Sequence, residues 1–235
     1  LIIDASHFVP HSRVRLFVVA QQREGQDGIQ LEQHLSRSGS ARPEKVRDFI
    51  RTYPDINWRL RNLPELPQTD LEVKDIVDEE ENDWWDDDRA EYLFSQMYER
   101  HEDKVEEMMQ QDEWHYGTVF RRTRKRDGKR QSTAELRTDG LAGCLRTPKG
   151  GSARQILVRA GKGQRDARLL NARECARLMG AWDFKLDEDA SLTQHLWGFG
   201  DAVCASVMEW LADKYLNPLA EEIGQRVRKN KIEAV

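Results

Sequence analysis

The chain has 235 residues, of which 38% are hydrophobic and 34% are charged, and its formal net charge is −5. That apolar content can support a folded core, and no run of about 18 apolar residues marks a membrane span. The three cysteines stand far apart, without a CxxC pair or a histidine at metal-ligand spacing. This pattern excludes a zinc-finger spacing and a disulfide framework, and it favours a reducing cytoplasm.

Charge is divided along the chain far more sharply than its net value indicates. Residues 70–113 contain 19 acidic and four basic side chains, whereas residues 114–165 contain 14 basic and three acidic ones. The first segment repels polyanions and the second attracts them. We interpret the acidic stretch DEEENDWWDDD as a solvated loop, and a protein contact through exposed Trp84 and Trp85 is the alternative.

The first 20 residues predict a hairpin of two short strands, LIID and RLFVVA, on either side of a proline-containing turn. Side chains alternate across a strand, so Arg13 and Arg15 share one face. The other face carries Val14 and Leu16. This spacing favours a pair of charges aimed at one place, although the solvated edge of a hairpin would carry the same pattern.

The remaining sequence predicts a mixed α and β chain without internal repeats. The expected elements are a helix over 42–53, two surface helices within 86–111, a β-hairpin over 115–136, a short strand over 155–160, a helix over 170–182, and an amphipathic helix over 201–231. Asn171 and Gly180 are the expected cap and stop of the helix over 170–182. The last helix is expected to be interrupted near Asn217 and Pro218.

A glycine-rich loop, CLRTPKGGSARQ at residues 144–155, follows the basic hairpin. Its glycines let backbone approach a ligand, and its cations and small hydroxyls suit a polyanion. A solubilising hairpin beside an ordinary glycine turn remains the alternative. The candidate polyanion contacts are Arg146, Thr147, Lys149, Gly150, Gly151, Ser152 and Arg154 in the loop, with Arg121, Arg122 and Arg124 in the hairpin.

A second glycine motif, GFGDAVC at residues 198–204, stands before the last predicted helix. Glycines ahead of a helix are typical of phosphate and carboxylate sites. A simple turn into a helix capped by Asp201 explains the motif equally well, and no preceding parallel strand indicates a dinucleotide site.

Four blocks, read in order, resemble the last third of bacterial DNA (cytosine-5) methyltransferases. They are HFVPHSRVRLFVVA, GLAGCLRTPKGG, ARLLNARECARLMGAWDF and GFGDAVCASVMEWL. The first block matches the family's Gln-x-Arg-x-Arg pattern at Arg13 and Arg15, with His11 in place of glutamine. The resemblance implies that Arg15 contacts a cytosine flipped out of the duplex and that Arg13 orients the catalytic carboxylate and cysteine loop.

The other three blocks imply further roles. The second is similar to the family's target-recognition loop, and the third, Arg168 through Gly180, to the helix that organises the recognition domain. The fourth resembles the motif that closes over S-adenosylmethionine, with Asp201 where asparagine is usual. The cofactor-contacting residues implied by this block are Gly200, Asp201, Ala202 and Val203.

The resemblance implies an α/β fold in which C-terminal elements of a Rossmann-like methyltransferase domain (1–22 and 186–235) flank an irregular α+β recognition domain (23–185). No cysteine follows a proline, so none is the expected nucleophile, and no metal site is expected. We expect a C-terminal portion of a longer enzyme, cytoplasmic and associated with the nucleoid, that binds duplex DNA. It would need S-adenosylmethionine and an N-terminal half for catalysis, and would self-associate when isolated. An inert DNA-binding or partner-binding module is the alternative.

Overall fold

A computed structural model describes residues 1–22, 31–35, 39–126, 129–148 and 154–233, with the side chains of 124–126, 129 and 226–233 left aside. The protein is a mixed α/β structure with two antiparallel sheets. Within these ranges no helix is both long and apolar enough to cross a membrane. The helices of the first half are α1 Leu31–Leu35, α2 Glu44–Thr52, α3 Val73–Ile76, α4 Asp87–Phe94 and α5 Glu99–Met109.

The opening hairpin is confirmed, with shorter strands than the sequence predicts. Strand β1, Ile2–Asp4, pairs antiparallel with β2, Val14–Leu16, and Ile3 stands opposite Arg15. A single 3-10 turn, Ala5–His7, follows β1. The Asp4 side chain caps this turn by accepting a hydrogen bond from the Ser6 N–H. The outward face of β2 is apolar and exposed, which is unusual for a sheet edge in water.

The larger sheet has four antiparallel strands in the order β4-β3-β5-β6. Its strands are β3 His115–Arg126, β4 Lys129–Arg137, β5 Ile156–Gly161 and β6 Gln164–Leu169. The predicted hairpin of β3 and β4 and the predicted strand β5 are confirmed. The expected hairpin turn at residues 127–128 lies outside the described residues.

Strand β6 was not predicted, and it corrects the expectation of a helical block that begins at Arg168. The chain stays extended through Leu169, and helix α6, Ala172–Leu178, begins only after Asn171. The Asn171 side chain caps the helix by accepting from the Glu174 N–H, as predicted. Gly180 ends the helix at a φ of +72°, a backbone conformation that favours glycine.

The C-terminal helices also differ from the sequence prediction. Residues 198–201 do not form a turn ahead of a helix but complete helix α7, Leu192–Asp201. Asp201 therefore ends one helix, and Cys204 precedes the next, α8 Ala205–Leu211. The predicted interruption near Asn217 and Pro218 is confirmed as a change of helix type, since a π-helical turn, Ala212–Leu216, separates α8 from α9, Asn217–Glu233.

Two hydrophobic clusters lie on opposite faces of β5. Leu157 belongs to the cluster that contains β1, α6, α7 and α8, whereas Ile156 and Val158 belong to the cluster under α4 and α5. The strand is buried on both sides where it begins, and its first three residues, Ile156, Leu157 and Val158, are accordingly all apolar. Strand β5 therefore links the small sheet and the C-terminal helices to the helical pair.

The acidic segment is attached to the large sheet. Trp84 lies under two guanidinium groups, with ring centroids 4.0 Å from Arg159 and 4.8 Å from Arg168. The backbone N–H of Trp85 donates to Ala167 O of β6. Both tryptophans are half-buried, so the exposed rings on which the alternative of a protein contact depended are not present.

Candidate functional site

The glycine-rich loop approaches the start of β2 through backbone hydrogen bonds. Ser12 donates to Ala142 O at 3.0 Å, and Ala142 donates to Pro10 O at 2.8 Å. These two bonds form a parallel bridge between His11 and Ala142. The bridge holds the beginning of the loop beside the two arginines of the first block.

His11 is fully buried and joins three parts of the chain. Its Nε2 accepts from the Leu145 N–H at 3.0 Å, and its Nδ1 is 3.1 Å from Leu178 O at the end of α6. The Leu145 N–H can only donate, so Nε2 must be the unprotonated acceptor. Nδ1 therefore carries the proton of the neutral ring and donates to the Leu178 carbonyl. Burial, and next the neighbouring Arg13 charge, lower the pKa of His11 to about 4. The imidazole is therefore neutral at physiological pH.

Arg13 is only 3% exposed, and its guanidinium binds three backbone carbonyls. Nη1 donates to Leu145 O at 2.8 Å, and Nη2 donates to Gly200 O at 3.0 Å and to Ala202 O at 2.5 Å. Burial lowers the pKa of Arg13, but an arginine keeps its charge in proteins. We call this arrangement the arginine clamp: it fastens the loop and the end of α7 to the small sheet.

Arg15 occupies the same side of β2 but is not part of the clamp. Its Nη2 and the Nη1 of Arg13 both lie 3.6 Å from Cys144 Sγ, so the thiol sits between the two guanidinium groups. The Nη1 of Arg15 donates to the adjacent Val14 O at 2.8 Å. Arg15 is half-buried, and the shared face predicted from the sequence is confirmed, although the two arginines are held differently.

Gly200 is the point where α7 touches the glycine-rich loop. A Cβ added there would stand 2.4 Å from Thr147 N and 2.6 Å from the Arg146 carbonyl carbon. Glycine is required here because backbone packs on backbone. Asp201, Ala202 and Val203 follow as an exposed segment that leaves the helix.

The other loop candidates are only partly described. Arg146 is exposed and Thr147 half-buried, and Arg154 donates to the Thr193 hydroxyl in the first turn of α7 at 2.8 Å. Four further candidates, Lys149, Gly150, Gly151 and Ser152, lie outside the described residues.

The hairpin candidates occupy the far half of β3. Arg122 is exposed, pairs with Glu135 across the hairpin at 3.3 Å, and stacks over Phe120 at 4.4 Å from the ring centroid. The Nε of Arg121 is buried and has no hydrogen-bond partner among the described residues. Arg124 belongs to the strand, and its side chain is outside the description. Neither Arg121 nor Arg122 takes part in the clamp.

The cysteines give little support for a nucleophile. Burial raises the pKa of Cys175 far above its ordinary range, and it also raises the pKa of Cys204. Cys144 is half-buried between the two arginines. Within the described ranges, no three His, Cys, Asp or Glu side chains are grouped so that they could hold a metal ion.

The sequence analysis did not predict that His11 is buried and joins three segments. The signal in the sequence is that histidine replaces the glutamine of the Gln-x-Arg-x-Arg pattern.

A family model described as C-5 cytosine-specific DNA methylase matches residues 1–217 of the chain. No curated protein and no solved structure gives a significant match. The matched span contains all residues of the arginine clamp.

Proposed function

Because the chain belongs to the C-5 cytosine-specific DNA methylase family, we propose that it is the DNA-recognising and pocket-closing C-terminal portion of such an enzyme. The complete enzyme transfers a methyl group from S-adenosylmethionine to C5 of a cytosine flipped out of duplex DNA. In this proposal residues 1–22 and 186–235 complete a Rossmann-like catalytic domain, and residues 23–185 form the recognition domain.

The observation that carries the proposal is the arginine clamp. One guanidinium holds the loop carbonyl of Leu145 together with the carbonyls of Gly200 and Ala202. Residues that the resemblance assigns to base flipping, site recognition and cofactor closure therefore share one buried group. Basic character alone would not lead a fold to join these three segments at one buried guanidinium.

Arg15 is the residue of the pair that can reach a substrate. It is half-buried, and among the described residues its guanidinium contacts a neighbouring carbonyl and a thiol, so donors remain for the acceptor atoms of a flipped cytosine. Arg13 acts as a positioning residue, since both of its terminal nitrogens donate to backbone carbonyls. In this proposal its orienting role, expected for the catalytic carboxylate and cysteine loop, extends to the glycine-rich loop and the end of α7.

The segment of Asp201, Ala202 and Val203 is exposed, so its side chains are accessible to S-adenosylmethionine in the proposed enzyme. A carboxylate accepts hydrogen bonds, so Asp201 suits the ammonium group or the ribose hydroxyls and repels the cofactor's own carboxylate. In the complete enzyme this segment would form one wall of the pocket, and the cofactor would supply the methyl group.

An exposed apolar surface supports the need for a second half. Val14, Leu16 and Val18 on and after β2 are 54%, 66% and 80% exposed, and Val203 is 51% exposed. Exposed aliphatic side chains grouped at alternate positions of one strand are typical of a contact with another protein surface. We propose that the N-terminal methyltransferase half covers it, and that self-association covers it when that half is absent.

The experiment measures DNA binding and methyl transfer separately. The purified chain should bind a fluorescent duplex with a steep salt dependence and transfer no methyl group from labelled S-adenosylmethionine. Transfer should appear after addition of an N-terminal half that carries a Pro-Cys motif. In that mixture Arg15→Ala should abolish transfer, whereas Arg100→Ala, an exposed arginine on α5, should not.

Two results would contradict the proposal. Methyl transfer by the chain alone would remove the requirement for a second half. DNA binding that persists without any restoration of transfer would favour the inert recognition module.

A further inference from the structure

The hairpin of β3 and β4 extends well beyond the sheet that carries it. Strand β3 pairs with β5 only from His115 to Val119, whereas its pairing with β4 continues to Arg126 opposite Lys129. Residues 120–126 and 129–135 therefore form a two-stranded arm, which we call the basic ribbon.

No hydrophobic core supports the outer part of the basic ribbon. Residues 121–133 include no aliphatic, aromatic or sulfur-containing side chain, and they hold seven basic residues against one acidic residue. Of the described side chains in this range, Arg121 is half-buried and Thr133 is buried at its base, and the others are exposed: Arg122, Thr123, Arg130, Gln131 and Ser132. An isolated two-stranded hairpin without an apolar face is marginally stable in water. Its length is thus not explained by packing.

The strand register makes the ribbon less stable still. It sets Lys125 opposite Arg130 and Arg126 opposite Lys129. Like charges at directly opposed positions of an antiparallel pair destabilise it, and a polyanion removes that repulsion. The arrangement is therefore better suited to a bound state than to the free protein.

The ribbon and the glycine-rich loop leave the large sheet at the same end. Ile156, the first residue of β5, stands opposite Val119, the last residue of β3 that pairs with β5. The chain that precedes Ile156, including Arg154, thus reaches the sheet at the root of the ribbon. A duplex held by the loop would lie beside the ribbon.

We infer that the basic ribbon is a phosphate-contacting arm that binds duplex DNA next to the target site and does not read the target sequence. The inference rests on the proposed function for its ligand. Strands about 4.8 Å apart and about 24 Å long fit a major groove that is about 12 Å wide, where they could contact phosphates along roughly seven base pairs. The loop would then select the site, and the ribbon would add affinity.

The test compares two variants of the full chain with the same change in net charge. The ribbon variant replaces four basic residues of the ribbon by glutamine: Arg124, Arg126, Lys129 and Arg130. The control variant replaces four exposed lysines on helices and a loop by glutamine: Lys45, Lys104, Lys185 and Lys214. Binding to a fluorescent duplex is measured between 50 mM and 300 mM salt, and competition with unrelated duplexes measures sequence preference.

We expect the ribbon variant to lose about 0.9 units of salt slope per phosphate contact, or 3 to 4 units in total, and to bind about a hundredfold more weakly at 0.1 M salt. Its preference between duplexes should stay within about twofold of the wild type, because base contacts and not phosphate contacts carry sequence information. The control variant should keep the wild-type slope to within about one unit.

Three results would overturn the inference. An unchanged slope in the ribbon variant would favour an acidic protein as the ribbon's partner, and an equal loss in the control variant would reduce the effect to net charge. A lost preference would make the ribbon a base reader. Failure of the proposed function is a different result, since the wild type itself would then show no salt-dependent binding.

Discussion

A buried neutral histidine should make the protein sensitive to mild acid. His11 uses Nε2 as an acceptor for the Leu145 N–H, so protonation of that atom would remove the bond and place a charge beside Arg13. Asp4 favours the charged form, but its effect is smaller than those of burial and Arg13. A shift from pH 7.5 to pH 5.0 should therefore lower the free energy of unfolding.

The magnitude follows from the two pKa values. The pKa of His11 is lowered from 6.5 to about 4 on folding, so the unfolded chain binds more protons than the folded one between these values. The stability contribution is intact above pH 6.5 and is lost as the pH falls towards 4. At pH 5.0, 1.5 units below the unfolded value, the loss is about 2 kcal/mol.

The assay is urea unfolding of the wild type and of His11→Gln at both pH values. Glutamine keeps one donor and one acceptor without a titrating group in this range, and it is the residue that the family pattern carries at this position. The other five histidines and all carboxylates are common to the two proteins. We therefore expect the wild type to lose about 2 kcal/mol more than the variant on acidification. Equal losses would show that His11 titrates normally and would refute the buried, neutral imidazole.

Three further perturbations address the same region, each read by urea unfolding. Arg13→Lys should lower the free energy of unfolding by about 2 kcal/mol, because a single ammonium cannot span three carbonyls; an unchanged value would argue against the clamp. Gly200→Ala should cost about 1–3 kcal/mol, whereas Gly198→Ala, with nothing within 4 Å, should be neutral or stabilising by up to about 1 kcal/mol. Glu174→Gln should cost about 3–5 kcal/mol because it leaves the buried charge of Arg168 without its partner, and replacing both residues by methionine should cost less.

Much of the fold is predictable wherever the pattern is local. Helix α6 carries its own cap in Asn171 and its own stop in Gly180, and the long hairpin carries alternating side chains. Strand β6 lacks such a signal, since QRDARL is polar. It is nevertheless a strand because its Asp166 forms an ion pair with Arg159 of β5, and because the Trp84 ring covers Arg159 and Arg168. Trp84 is distant in sequence from both strands, so its contact leaves no local pattern.

The glycines of α7 show the same limit in the candidate site. The sequence predicts a turn at Gly198 and Gly200, because glycine is unfavourable inside a helix. The structure keeps the helix because Gly200 packs directly on the backbone of residues 146–147, a contact that the sequence does not reveal. Likewise the spacing of Arg13 and Arg15 predicts their shared face, but not that one is buried among carbonyls while the other stays accessible.

The clamp also couples segments that the proposed enzyme uses at different stages. The Leu145 carbonyl belongs to the glycine-rich loop, and the carbonyls of Gly200 and Ala202 belong to the end of α7, yet they share the donors of Arg13. If either segment moved alone, a buried carbonyl would lose its charged donor, at a cost of about 1.5–3 kcal/mol per bond. The loop and the end of α7 should therefore move as one unit. An enzyme built this way would adjust its cofactor-side wall whenever its recognition loop shifts on DNA.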